Sequence, residues 1–175
     1  MAVWHFEPGH TSVEFAVRHM MVTIVRGSYK NVRGSMRFDP TDPPNCAVEV
    51  SIDAASFSTE EPERDAHLRS SDFLDVENHP KITFKSIHVE ATGTNHYRVT
   101  GDLTIRVTTR LVTLDVIFFG PVDTPFGNTR MGFLATTRIN REDFGVSWNA
   151  PMPGGGWVVA KEVEVTIDIE AIRED

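Results

Sequence analysis

Residues 161–172 read KEVEVTIDIEAI. Val163, Val165, Ile167 and Ile169 alternate with Glu162, Glu164, Thr166, Asp168 and Glu170. A period of two sends successive side chains to opposite faces of a strand, so one face is apolar and the other charged. A strand wet on one side suits an antiparallel sheet, because parallel strands are usually buried on both faces. The same alternation runs through TSVEFAVRH (11–19), CAVEVSID (46–53) and YRVTGDLTIRV (97–107). Weaker patterns place further strands at 27–39, 80–90, 111–120 and 129–140. Between them lie DPTDPPN (39–45), GTN (93–95), PVDTPFGN (121–128) and APMPGGG (150–156), all rich in turn and loop residues. The expected architecture is all-β and antiparallel, with about eight strands in a closed barrel or a sandwich.

The chain has 175 residues, a length that suits one domain spanning 1–175. Its net charge of −8, with no Lys/Arg-rich run, argues against nucleic acid as a partner and against docking on anionic lipid by charge. No apolar run reaches membrane-span length, so no stable membrane insertion is expected. Cys46 is the single cysteine, so no intrachain disulfide can form. The opening MAVWHFEPGHTSVEF lacks the basic and apolar regions of a signal peptide. The expected location is cytoplasmic, or periplasmic or secreted if a leader has been removed. Exposed strand edges would allow a homodimer.

One segment reads as a helix: RDAHLRSSDFLDVENHP (64–80) with the residues just before it. Thr59 can cap it, with Glu60 and Glu61 in the first turn. Pro62 then falls where its missing N–H costs little, and Asp65 and Arg69 can pair on the surface. Shorter helical pieces are expected at MMVTIV (20–25) and REDFG (141–145). The helical excursion therefore follows the third or fourth strand.

Arg64, Asp65, His67 and Asp72 resemble catalytic equipment, but a solvated helix laid across a barrel explains them as well. The histidines at 5, 10, 19, 67, 79, 88 and 96 show no HxH, HxxxH or HExxH spacing, so no metal site is expected. There is no GxSxG elbow, and Cys46 has no local sign of activation. DFG at 143–145 stands without the other parts of a kinase. No catalytic residue is assigned, and no cofactor is required.

The stretches GHTSVEFAVRHM (9–20), FSTEEPERDAHLRSSDFLDVENHPKITFKS (57–86), VTGDLTI (99–105) and TRINREDFGVSW (137–148) resemble the YceI-like family in order and spacing. The resemblance implies a lipocalin-like barrel with an apolar tunnel. It also implies binding of a polyisoprenoid, an isoprenoid quinone or a similar amphiphile such as a fatty-acid derivative. Arg64, Asp65 and His67 match the family's charged helix start. Asn140, Arg141, Asp143, Phe144 and Gly145 match its late motif. The family usually continues LTI with Arg-Gly-Val-Thr; here Arg106 is followed by Val107, Thr108 and Thr109. The residue best suited to a bulge or sharp bend is thus missing.

Alternation selects the side chains expected to line a tunnel: Val13, Phe15, Val17, Met36, Phe38, Val50, Ile52, Phe84, Leu103, Ile105, Leu114, Val116, Phe133, Val165 and Ile167. His10, His19 and Arg141 are the candidate donors to a head group. Net charge favours a neutral, quinone-like head. The expected function is a carrier or reservoir for a hydrophobic lipid, without enzymatic activity. Two alternatives stand beside it: a protein-interaction module with a filled core, and a lipid-modifying enzyme using His67 and Asp65.

Overall fold

A computed structural model describes all residues from Met1 to Asp175. β1 (Val3–Phe6) is followed by a 3-10 turn at Pro8–His10, β2 (Ser12–His19), β3 (Thr23–Tyr29), β4 (Val32–Arg37) and β5 (Ala47–Asp53). The short β6 (Phe57–Ser58) leads into the single α-helix, α1 (Pro62–Arg69). The long strands β7 (Lys81–Gly93), β8 (His96–Ile105), β9 (Thr108–Asp123), β10 (Thr129–Asn140) and β11 (Val159–Arg173) complete the chain.

All pairings are antiparallel, in the order β1-β4-β5-β7-β8-β9-β10-β11-β2-β3-β6, and a second pairing of β1 with β11 closes the sheet on itself. β1 and β2 lie end to end along β11, with Phe6 opposite Ala171 and Ser12 opposite Asp168. β3 and β4 likewise continue one another, β3 against β2 and β4 against β1. These broken strands count as single staves, and the barrel has eight. α1 follows the third stave. Closure leaves no stave with an unpaired edge along its whole length, which removes the main hazard of an open sheet.

Three local expectations change. The run 27–39 is not one strand: it breaks at Lys30–Asn31 between β3 and β4. MMVTIV is not helical. Met20 and Met21 take φ of +49° and +64° at a hairpin tip, and β3 begins at Thr23. The bend after LTI is kept without glycine, because Arg106 itself adopts φ +56° and donates from Nη1 to the carbonyls of Phe73 and Gly145. REDF (141–144) does form a 3-10 turn, capped by the Asn140 side chain and ended by Gly145 at φ +76°.

One end of the barrel is plugged by aromatic side chains. Phe38 packs at 5.4, 4.9 and 5.1 Å from the rings of Tyr97, Phe118 and Phe133. Phe6 sits where Gly34 has no side chain; a Cβ there would lie 2.4 Å from its ring. α1 and the 141–148 segment pack at the opposite end, where Arg106 and Arg110 bond to the carbonyls of Gly145 and Asp143.

A hollow lumen with a polar mouth

Between the aromatic plug and α1 the barrel encloses a cavity of about 410 Å³, within the roughly 300–1,000 Å³ of small-molecule sites. Every residue selected by alternation as tunnel lining, from Val13 to Ile167, is in its wall. Phe15, Val50, Leu103, Ile105, Val165 and Ile167 point inward yet keep accessible surface, because they face open space rather than one another. Of the 45 lining residues, 38 are hydrophobic; the others are Arg18, His19, Arg37, Arg64, His67, Thr137 and Arg141. No carboxylate lines the cavity.

Arg141 is buried in this wall and engaged by the protein itself. Its Nε donates to the Ala160 carbonyl at 2.8 Å, and its terminal nitrogens donate to the carbonyls of Val146, Trp148 and Val159. The guanidinium therefore stitches the 146–148 segment to the start of β11. Burial pulls its pKa below the ordinary arginine range. This spends most of its donors, so the expected head-group role gives way to a structural one. His10 is further from that role. It lies 63% exposed in the turn between β1 and β2, outside the lumen, 4.0 Å from Glu170. His19 alone of the three candidates lines the cavity with a side chain that makes no hydrogen bond within the protein.

The charged helix is built differently from a solvated one. Pro62 is its first residue, and no side chain caps it. Thr59 instead faces Asp65: its backbone N–H donates to the carboxylate at 3.0 Å, and its hydroxyl donates to the same oxygen. Asp65 is buried, not paired with Arg69 on the surface. Arg64 donates to the Thr59 hydroxyl and carbonyl, each at 2.8 Å, and its other terminal nitrogen makes no bond within the protein. Arg69 turns back onto the carbonyls of Ala55 and Phe57 and lies over the Phe57 ring. Arg64 and Asp65 thus tie the helix to the segment before it.

His67 reaches the cavity, pairs with Asp72 at 2.9 Å, and packs on Phe73 and Trp148. Asp65 does not line the cavity, so the two residues are not set to act together on a bound lipid. In the late motif, Phe144 lines the lumen while Asn140, Asp143 and Gly145 shape the turn behind it. No group of three His, Cys, Asp or Glu side chains stands close enough to hold a metal.

The sequence model of the YceI-like domain matches residues 4–171. This chain belongs to the YceI-like family. A UPF0312 protein of Pectobacterium carotovorum is 36% identical over 168 residues, 96% of this chain and 84% of that one. A UPF0312 protein of Pseudomonas putida is 32% identical over the same shares. Among solved structures, Burkholderia cenocepacia BcnA superposes with a TM-score of 0.81 at 24% identity, covering 94% of this chain and 98% of BcnA. A Campylobacter jejuni YCEI protein gives 0.77 at 26%, covering 90% of each chain. A Saccharophagus degradans domain described as polyisoprenoid-binding gives 0.70 at 11%, covering 98% of each chain.

The YceI-like barrel of this chain also uses lining residues that alternation did not select. Tyr29, Phe57, Phe73, Val146 and Trp148 all face the cavity. Tyr29 ends β3 just before the break at Lys30–Asn31, which the alternation over 27–39 does not reveal. The other four come from loops or from a two-residue strand, where no period exists to show which way a side chain points.

Proposed function

We propose that this YceI-like barrel takes the tail of a long apolar lipid into its lumen and serves as a carrier or reservoir, not as an enzyme. The observation that carries the reading is the cavity, whose wall is hydrophobic at all but seven positions. The lumen is not filled, so a protein-interaction module with a packed core loses its premise. Candidate tails are polyisoprenoids, including those of quinones, and fatty-acid derivatives. The Saccharophagus domain of the same fold, described as polyisoprenoid-binding, agrees with that class.

The energetics are adequate. At about 0.8 kcal/mol per buried CH₂, a five-carbon isoprene unit gains roughly 3–4 kcal/mol gross. Ordering a flexible chain offsets part of that, so several buried units give useful affinity. The tail then supplies affinity, and the head group fixes which end enters first.

The test is organic extraction of freshly purified protein followed by mass spectrometry, with melting curves in the presence of added lipid. A prenyl or acyl species in the extract and a raised Tm with lipid support the reading. Repeated empty extracts with no shift in Tm overturn it.

A further inference from the structure

We infer that the lipid's head group is a carboxylate, held at the α1 end of the lumen by Arg64, Arg18 and His19. This deepens the lipid-binding reading and rests on it. The polar part of the cavity wall is cationic or neutral throughout, in a chain whose net charge is −8. Random placement of this chain's charges would put acids in the wall more often than bases. A cation beside a low-dielectric bore is stabilised by an anion, and an anion there is costly without one.

Position separates the cations. Arg37 stands at the far end, beside Cys46, where the backbone of Asp39 and Asp42 folds around the thiol. At the other end, Arg64 is one helical turn before His67, whose ring packs on Trp148 at 4.7 Å. The carbonyls of Trp148 and Val159 share the Arg141 guanidinium, and Val159 pairs with His19 across the β11–β2 ladder. Arg18, next to His19, makes no ion pair. These contacts bring His19, Arg64 and His67 to one mouth, and Arg18 borders the cavity there from the exposed rim.

The number of free donors selects the kind of anion. Arg141 is spent on four carbonyls, and Arg64 on Thr59 except for one terminal nitrogen. His67 is paired with Asp72. One open guanidinium, one partly open guanidinium and one imidazole supply donors enough for the two oxygens of a carboxylate. Only the head lies among polar groups, so the tail continues into the apolar wall formed by Phe15, Leu103 and Val165. The expectation of a neutral head, drawn from net charge alone, gives way to the local arrangement.

The experiment compares twelve-carbon probes on lipid-stripped protein by calorimetry: dodecanoic acid, dodecanol, methyl dodecanoate and dodecyl phosphate. The acid should bind about tenfold or more tighter than the alcohol and the ester, the gain expected of a charge-assisted hydrogen bond. Arg18→Gln and Arg64→Gln should each shrink that preference by weakening the acid more than the alcohol, whereas Arg37→Gln should keep it. Arg18 is an exposed rim residue, so its variant remains informative if Arg64→Gln folds poorly. Equal affinity for acid, alcohol and ester would overturn the head-group assignment while leaving the tail in the lumen. Tighter binding of the phosphate than of the acid would overturn the carboxylate. Loss of preference in Arg37→Gln alone would place the head at the wrong end. If no probe binds at all, the lumen reading falls and this one with it.

Discussion

The hydroxyl and backbone N–H of Thr59 both donate to the carboxylate of Asp65, and both residues are buried. The conspicuous charge run of the sequence is thus a clasp that fixes α1 over one end of the barrel. Asp65→Ala strands two buried donors and should cost about 1–3 kcal/mol of stability. Lipid capacity per folded molecule should not change. Urea denaturation and lipid titration of the same preparation check this; lost capacity at unchanged stability would give Asp65 a direct role with the ligand.

Arg141→Ala should be more damaging. It leaves the carbonyls of Val146, Trp148, Val159 and Ala160 without their shared donor, at about 3 kcal/mol or more. Arg141→Lys should recover only part of that, because an ammonium cannot fork to several carbonyls at once. The midpoint of urea unfolding reads both. A variant as stable as the parent would show that these bonds are dispensable.

Cys46 reports on the cavity from within. It lines the wall, and burial raises its thiol pKa above the ordinary value. A raised pKa keeps the thiol protonated over a wider range, so less thiolate is present at a given alkaline pH than in the unfolded chain. Alkylation of the native protein at mildly alkaline pH should therefore be slower than after unfolding in urea. Bound lipid should slow it further. Equal rates with and without lipid would place the tail away from the Cys46 side of the lumen.

Bulk placed on the inner wall should remove capacity before it removes the fold. Val50 and Val165 project into open space from strands on different staves. Val50→Trp and Val165→Trp should each fill part of the bore, giving cooperative unfolding and weak or absent lipid binding. Calorimetric titration reads the loss. Unchanged lipid capacity in both variants would refute binding in the lumen.

Much of this arrangement was legible because a barrel with one wet face obeys a strict period. Val13, Phe15 and Val17 face inward for the same reason that Val163, Val165 and Ile167 do. The errors lie where the period is broken. Pro8 and Gly9 interrupt the first stave and leave His10 in a turn outside the lumen. Lys30 and Asn31 break the second stave without proline or glycine to announce it. Met20 and Met21 turn a hairpin with residues that favour helices. Asp65 looked solvated because a carboxylate usually is, and only the fold brings Thr59 onto it. Alternation also cannot distinguish a packed lumen from an open one. That depends on how Phe15 settles against Gly27, where a Cβ would lie 2.2 Å from the ring, and on many such fits around the barrel.

The most direct measurement is a crystal structure of the protein soaked with a long-chain lipid brominated near the middle of its tail, located by anomalous scattering. A bore that accepts hydrocarbon requires the bromine inside the barrel, among Phe15, Leu103 and Val165. Bromine found only on the outer face of the sheet, with the lumen unchanged, would contradict it.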